Sequence, residues 1–135
     1  MEEITLKQWT INFVKNKDLL KKELVDYEEK DSTIIFNFKN GVHRYLIVEI
    51  MNDEIFSFLK EKGFKSIVCF ANKKNLDFLI ANWKVFSEVE NFFIIFADVK
   101  NHDKWMINPR VHSHICDDSS LIVGLKSMYD NSFKP

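Results

Sequence analysis

Glycine is scarce in this chain: its 135 residues include only three, Gly41, Gly63 and Gly124. Walker A loops and dinucleotide-binding fingerprints each need several glycines within a few positions, because the backbone must approach phosphate closely. The three glycines here lie 22 and 61 positions apart. Both motifs are therefore excluded, whereas nucleotide binding by another device stays open.

Cysteine and long apolar segments are also scarce. Cys69 and Cys116 are too few for a disulfide-stapled scaffold, and neither belongs to a C-x-x-C pair. The longest apolar runs are about six residues, far below the roughly 20 needed to cross a bilayer. The acidic start, Met1-Glu2-Glu3, lacks the apolar stretch of a secretory signal. We therefore expect a cytoplasmic protein with no membrane association.

An excess of one charge is missing as well. Lysine and arginine number 19 against 20 aspartates and glutamates, for a net charge of −1. A general nucleic-acid binder needs a clustered positive field, which this balance argues against. The composition is 46% hydrophobic and 29% charged, the balance of a globular protein, and its length suits one domain.

Two local patterns open the chain. Residues 5 to 24 carry apolar side chains at helical spacing, with most lysines elsewhere, which predicts an amphipathic helix. Strand-like runs follow at residues 32 to 39 and 42 to 50, joined by Asn40-Gly41. Asn-Gly is a preferred pair for a tight turn between antiparallel strands, so we predict a β-hairpin.

Three short runs, at residues 45 to 50, 67 to 71 and 92 to 97, are nearly continuous in apolar character. Strands of this kind are buried on both faces, as in parallel sheets covered by helices. The intervals between the runs predict helices, from about residue 52 to 62 and from about residue 72 onward. The order of elements therefore predicts β-α-β-α-β crossover units.

The predicted fold is a single α/β domain over residues 1–135. An N-terminal helix and β-hairpin precede the crossover units, and a C-terminal helix follows at about residues 119 to 131. We expect a mixed, mostly parallel sheet of about four strands. Residues 99 to 118 fit neither pattern, which is uncommon for so long an interval. A short helix at 102 to 106, or a short strand at 111 to 115, would reduce the anomaly.

Ligands of open parallel sheets bind beyond the carboxyl ends of the strands. We expect residues 99 to 118 to fold over that edge. The rule then yields Asp98, His102 and Asp117 as candidate catalytic residues, and Lys73, Lys74 and Arg110 as candidate ligand-binding residues. Each has a simpler interpretation: aspartate favours the turn after a strand, and lysines are usually solvated surface residues.

Three of the four histidines fall within 13 residues. His112 and His114 are two positions apart, so they share a face if that segment is extended. Imidazole and carboxylate groups are usual ligands of Zn²⁺ and Mn²⁺. We therefore name these two histidines as candidate ligands of a divalent metal, the one cofactor that the sequence suggests. No H-E-x-x-H motif accompanies them, so ordinary polar or surface histidines are the simpler interpretation.

Other catalytic motifs are missing. The chain has no G-x-S-x-G elbow, and Cys116 lies beside two aspartates that disfavour a thiolate. The order helix, hairpin, helix, strand invites comparison with metal-dependent nuclease folds, which need an E-x-K on a strand. Glu49 is followed two positions later by Met51, so that motif fails.

Two functional hypotheses follow. The first is a non-catalytic ligand- or partner-binding or assembly domain, because no catalytic motif withstands inspection; its 13 phenylalanines suit a homo-oligomer surface as well as a core. The second is a small hydrolase, in one version metal-dependent, with its site at the carboxyl strand ends and residues 99 to 118. Asp98 would then orient or deprotonate the attacking water.

Overall fold

A single mixed sheet organises the protein. In this computed structural model, which describes residues 4–115 and 117–133, the chain forms six strands and six α-helices. The strands are β1 (Leu24–Lys30), β2 (Thr33–Phe38), β3 (Gly41–Ile47), β4 (Phe64–Phe70), β5 (Phe92–Asp98) and β6 (Asp103–Ile107). The helices are α1 (Leu6–Lys17), α2 (Ile55–Leu59), α3 (Lys73–Ala81), α4 (Trp83–Ser87), α5 (Pro109–Ile115) and α6 (Leu121–Ser132). The prediction of an α/β fold is confirmed.

The order of the strands in the sheet follows their order in the chain, β1 to β6. β3, β4 and β5 pair in parallel, whereas the β1–β2, β2–β3 and β5–β6 pairs are antiparallel. The sheet is therefore larger and less parallel than the sequence predicts. The difference comes from β1 and β6, the two edge strands, because both pair antiparallel to their neighbours.

The first helix is shorter than its apolar pattern suggests. It begins after Thr5, whose hydroxyl accepts a hydrogen bond from the Gln8 backbone N–H. It ends at Lys17 because the next residue, Asp18, turns the chain: its carboxylate accepts hydrogen bonds from the N–H groups of Glu23 and Leu24 at 3.0 and 2.9 Å. The charged stretch that follows is strand β1, not a loop.

The β2–β3 hairpin forms where Asn40-Gly41 predicts it, but the turn is displaced by one residue. Phe38 pairs with Gly41, so the two central residues are Lys39 and Asn40. Gly41 has a φ of +151° and begins β3. The hairpin places His43 and Tyr45, two positions apart, on the same face of the sheet.

Helices cover both faces of the sheet and bury two separate apolar cores. The first core lies under α1, where Trp9 and Val14 pack against Phe36 and Val68. The second lies on the opposite face, where α2, α3, α4 and α6 cover the sheet. Its members include the fully buried Cys69, and burial raises the pKa of that thiol. Among the described residues, no helix is long and apolar enough to cross a membrane.

Between residues 99 and 115, the interval that fits neither pattern contains a strand and an α-helix. Strand β6 occupies 103–107 and helix α5 occupies 109–115. The sequence suggests a helix at 102 to 106 or a strand at 111 to 115, so each segment has the other type of secondary structure. Asp98 and Asn101 close the turn between β5 and β6: the Asp98 carboxylate accepts hydrogen bonds from the Asn101 backbone N–H and side-chain amide. Cys116 lies outside the described residues.

Two glycines predict stability changes of opposite sign. Gly63 has a φ of +94°, which an L side chain rarely adopts, so Gly63→Ala is expected to lower the free energy of unfolding by about 1–2 kcal/mol. Gly124 lies inside α6, and an added Cβ there meets nothing within 4 Å. Gly124→Ala is therefore expected to raise the free energy of unfolding by about 0.5–1 kcal/mol. Urea denaturation of both variants tests the pair, and shifts of the same sign would contradict it.

Candidate functional site

The carboxyl edge of the parallel strands, where a ligand site is expected, is occupied by a buried asparagine. The side-chain amide of Asn75 donates to the carbonyls of Glu49 and Phe70, each at 2.8 Å, and its oxygen accepts from the Met51 N–H at 2.8 Å. Asn75 is fully buried. Its side chain therefore joins the segments that leave β3 and β4, at the place where a ligand would otherwise bind.

The candidate residues near this edge have exposed or turn positions. Lys73 and Lys74 are exposed in the first turn of α3. Asp98 makes the turn contacts described above, and Asp117 is exposed. His102 is exposed, with a φ of +58°, and borders a groove between α1 and β6 that Phe13 also lines. Their functional roles stay predictions.

Strand β6 carries the chain away from this edge. Its register pairs Asp98 with Asp103 and Ile94 with Ile107, so α5 starts near the amino end of β5. Arg110 accordingly lies 3.6 Å from Glu90, which precedes β5. A strand of seven residues spans about 20 Å. Arg110 and Asp98 thus lie at opposite ends of β5, because the segment does not fold over the carboxyl edge.

The two candidate metal ligands lie on a helix instead of an extended strand. Positions two apart on a helix point in different directions. His112 packs edge-on against Trp83, with ring centroids 5.6 Å apart, and burial lowers its pKa; His114 is exposed. Within the described part of the chain, no group of three or more His, Cys, Asp or Glu residues is placed to hold a metal ion.

A cleft of about 340 Å³ opens at the other end of the sheet. It lies between the end of α1, the β2–β3 turn and the amino ends of β3 and β4, and we call it the hairpin cleft. It is lined by Val14, Lys17, Asp18, Lys21, Glu23, Phe38, Asn40, Gly41, Val42, His43, Tyr45 and Phe64. Apolar side chains form much of its wall, and two of them, Val42 and Phe64, are 40% and 55% exposed.

Three polar side chains form a connected cluster beneath this cleft. His43 Nε2 lies 2.9 Å from the Ser66 hydroxyl oxygen, and the Ser66 side chain also interacts with that of Tyr45, whose pKa it lowers. The rings of His43 and Tyr45 are 4.5 Å apart between centroids. The parallel register pairs Tyr45 with Ser66 directly, which brings the three side chains together on the α1 face.

The electrostatics of the cluster favour neutral groups. Burial, the larger cause, and the positive charge of Lys17 lower the pKa of His43 to about 4, and a hydrogen bond with the Lys65 backbone partly opposes them. Burial raises the pKa of Tyr45 to about 12. Both side chains are therefore uncharged near neutral pH. They add polar groups to the cleft wall without adding a charge.

The mouth of the hairpin cleft carries two charges of each sign, Lys17 and Lys21 against Asp18 and Glu23. The Asp18 carboxylate is occupied by the backbone N–H groups that follow it, as described above. The Lys17 ammonium lies 5.9 Å from the centroid of the Phe13 ring. This balance gives the mouth little preference for a charged ligand.

Sequence reasoning missed the His43, Tyr45 and Ser66 cluster. One signal was available, since His43 and Tyr45 alternate on one face of a strand that the hairpin pattern predicts. Ser66, however, joins them only through the register of β3 against β4, which local sequence does not specify.

No family model, curated protein or solved structure gave a significant match to this chain.

Proposed function

We propose that this protein is a non-catalytic binding domain whose hairpin cleft takes a small planar aromatic molecule with one hydrogen-bonding substituent, such as a phenol or an indole. The observation that carries the proposal is the position of the neutral His43 and Tyr45 side chains, backed by Ser66, in a cleft whose apolar wall is formed by Val14, Phe38, Val42 and Phe64. Ligand sites are typically apolar pockets with a few converging polar groups.

The walls of the cleft favour an aromatic ligand. Phe38 and Phe64 line it together with the imidazole of His43, whose ring centroid lies 6.2 Å from that of Phe64. Aromatic rings at such separations stack or meet edge to face with a planar partner. The volume, about 340 Å³, is at the lower end of the range for small-molecule sites, so the ligand is small.

The polar cluster favours a single hydrogen bond to the ligand. His43 and Tyr45 both line the cleft and both are neutral, so the polar part of its wall carries no net charge; Tyr45 is 3% exposed, so the half-buried His43 is the group that a ligand reaches. A charged ligand would lose hydration on entering the cleft, and the mouth, with two positive and two negative side chains, offers it no net opposite charge. A neutral hydroxyl or N–H group loses less.

A hydrolase site built on this cleft, which differs from the one that the sequence suggests at the carboxyl strand ends, has weaker support. His43 and Ser66 lie at the distance of a base and a nucleophile, but Ser66 is only 1% exposed and does not line the cleft. A serine nucleophile must reach the substrate, and its histidine base is normally oriented by a further polar group. The pair instead supports the floor of the cleft, with His43 and Tyr45 between Ser66 and the opening.

Binding of phenol and indole, followed by NMR chemical-shift changes, tests the proposal. We expect saturable changes centred on Val42, His43 and Phe64, with cyclohexanol binding at least about tenfold more weakly because it lacks an aromatic face. Phe64→Ala removes an exposed wall and is expected to weaken phenol and indole binding about tenfold.

The matched control is Ile122→Ala, which shortens an equally exposed apolar side chain on α6, distant from the cleft in the sheet layout. This variant is expected to bind both compounds like the unmodified protein. Equal binding by Phe64→Ala, or shift changes centred on the α6 surface, would overturn the proposal.

A further inference from the structure

A second cleft, of about 750 Å³, lies on the opposite face of the sheet from the hairpin cleft. It opens between the end of α2, helix α4 and the amino ends of β4 and β5, and we call it the α2–α4 cleft. It borders Phe56, Leu59, Val85 and Val89 on its apolar side. Lys65, next to Ser66 on β4, points to this face because successive strand residues alternate.

Lys65 is an unusually buried lysine. It is 5% exposed, and its ammonium donates to the Gly63 carbonyl at 3.3 Å, a long hydrogen bond. Within residues 4–115 and 117–133, no carboxylate lies within 4.0 Å of this ammonium. Lysines are seldom buried unless paired with an opposite charge, so the ammonium lacks the partner that such a position normally provides.

The two nearest glutamates do not supply that partner. Glu90 lies 3.6 Å from Arg110 and is not within 4.0 Å of the Lys65 ammonium. Glu61 attracts the ammonium only from beyond salt-bridge distance and is itself exposed. Burial lowers the pKa of Lys65, and Glu61 and Glu90 only partly oppose this effect.

We infer that the α2–α4 cleft binds a small organic carboxylate, with its anionic group at the Lys65 ammonium and its hydrocarbon part against Phe56, Leu59 and Val85. A carboxylate would give this ammonium, whose hydrogen bond to the Gly63 carbonyl is long, a partner of opposite charge. The hydrocarbon part would cover Val85, which is 46% exposed. A phosphate dianion fits less well, because Glu61, Glu88 and Glu90 also border the cleft and repel a second negative charge more strongly.

This site is independent of the hairpin cleft, since the two lie on opposite faces of β4 and take different ligands. The sequence does not indicate this site, because the residues that neighbour Lys65 in the chain form no recognisable motif.

Calorimetry and NMR titration with sodium hexanoate and sodium phenylacetate test the inference. We expect both salts to bind, and hexanamide, which has the same hydrocarbon chain without the charge, to bind at least about tenfold more weakly. The signals of the Lys65 side chain should shift, and its pKa should rise on binding, because the carboxylate stabilises the charged form.

Lys65→Met keeps the length of the side chain and removes the charge, so it is expected to weaken hexanoate binding about tenfold or more. Lys84→Met, at an exposed lysine on α4 that does not line the cleft, is the matched control and is expected to change binding less than about twofold. His43→Gln, in the hairpin cleft, should also leave hexanoate binding unchanged. Urea denaturation checks that each variant is folded.

A second variant keeps the test valid if Lys65→Met fails to fold. Val85→Trp fills the cleft from an exposed position without altering Lys65, and is expected to abolish hexanoate binding. Equal binding of hexanoate and hexanamide, equal binding by Lys65→Met and the unmodified protein, or absence of binding at millimolar salt would each overturn the inference.

Discussion

Replacing Asn75 by aspartate is expected to lower the free energy of unfolding at neutral pH by roughly 3–5 kcal/mol. The two side chains have nearly the same shape, so packing changes little. Aspartate retains the oxygen that accepts from the Met51 N–H, but it has no N–H group for the carbonyls of Glu49 and Phe70. Two buried carbonyls would lose their donor and face a negative charge instead.

The pH dependence of this variant has a definite sign. The two carbonyls and the burial both favour a protonated carboxyl at position 75, so its pKa in the folded protein should lie above that of the unfolded chain. The folded state then binds more protons, and the deficit in the free energy of unfolding should shrink as the pH falls. Urea denaturation at several pH values measures the effect.

Asn82→Asp is the matched control. The Asn82 amide donates to one carbonyl, that of Phe78, at 3.0 Å in a half-buried position. A loss of about 1 kcal/mol is expected there. Equal losses in the two variants would show that Asn75 contributes no more than an ordinary hydrogen bond.

The Asn75 contacts also explain why the usual rule for α/β proteins does not locate the clefts in this chain. The rule applies where the segments leaving adjacent parallel strands separate and leave a crevice. Here the amide of Asn75 holds the segments after β3 and β4 together. The two clefts lie at the amino ends of the parallel strands, where the hairpin turn and the α2–β4 connection leave space on either face of the sheet.

Elements with a strong local signal were predictable. The Asn40-Gly41 pair identified the hairpin, and the apolar runs at 67–71 and 92–97 coincide with β4 and β5. Both signals are contained in short stretches of sequence. An Asn-Gly pair favours a tight turn, and a continuous apolar run is typical of a strand that is buried on both faces between helices.

The edge strands were not predictable in the same way. β1 has the sequence LVDYEEK, and its only half-buried residues are Leu24 and Tyr27. Charged side chains at a sheet edge prevent association with other chains, so an edge strand can lack an apolar pattern altogether. β6 is five residues long and follows a turn directly, too short for its alternation of exposed and buried residues to be distinctive.

The candidate sites were harder still to predict, because they depend on how segments distant in sequence pair and pack. His112 and His114 share a face only in an extended segment, and the sequence between 109 and 115 does not distinguish strand from helix clearly. Likewise, Ser66 and Lys65 read as ordinary residues at the start of an apolar run. Their surroundings arise from β3, α2 and α4, which are distant in sequence.

The pKa of His43 predicts that acidification destabilises the protein through this side chain. The folded-state value is about 4, against about 6.5 for an unperturbed histidine. Between these values the unfolded chain binds more protons than the folded protein, so the free energy of unfolding rises with pH across that window. The stabilisation that the neutral imidazole provides should be fully present above about pH 6.5 and should decrease as the pH falls toward 4. The expected loss between pH 7 and pH 5 is about 2 kcal/mol.

His43→Gln isolates this contribution, because glutamine cannot take up a proton yet can still hydrogen-bond Ser66. The loss of stability between pH 7 and pH 5 should be smaller in the variant by about 2 kcal/mol, measured as the difference between the two proteins in urea denaturation. His102→Gln, which removes an exposed imidazole from the β5–β6 turn, serves as the matched control and is expected to follow the unmodified protein. If His43→Gln loses as much stability on acidification as the unmodified protein, His43 is not held neutral beneath the hairpin cleft. The ligand preference argued from its neutrality would then fail with it.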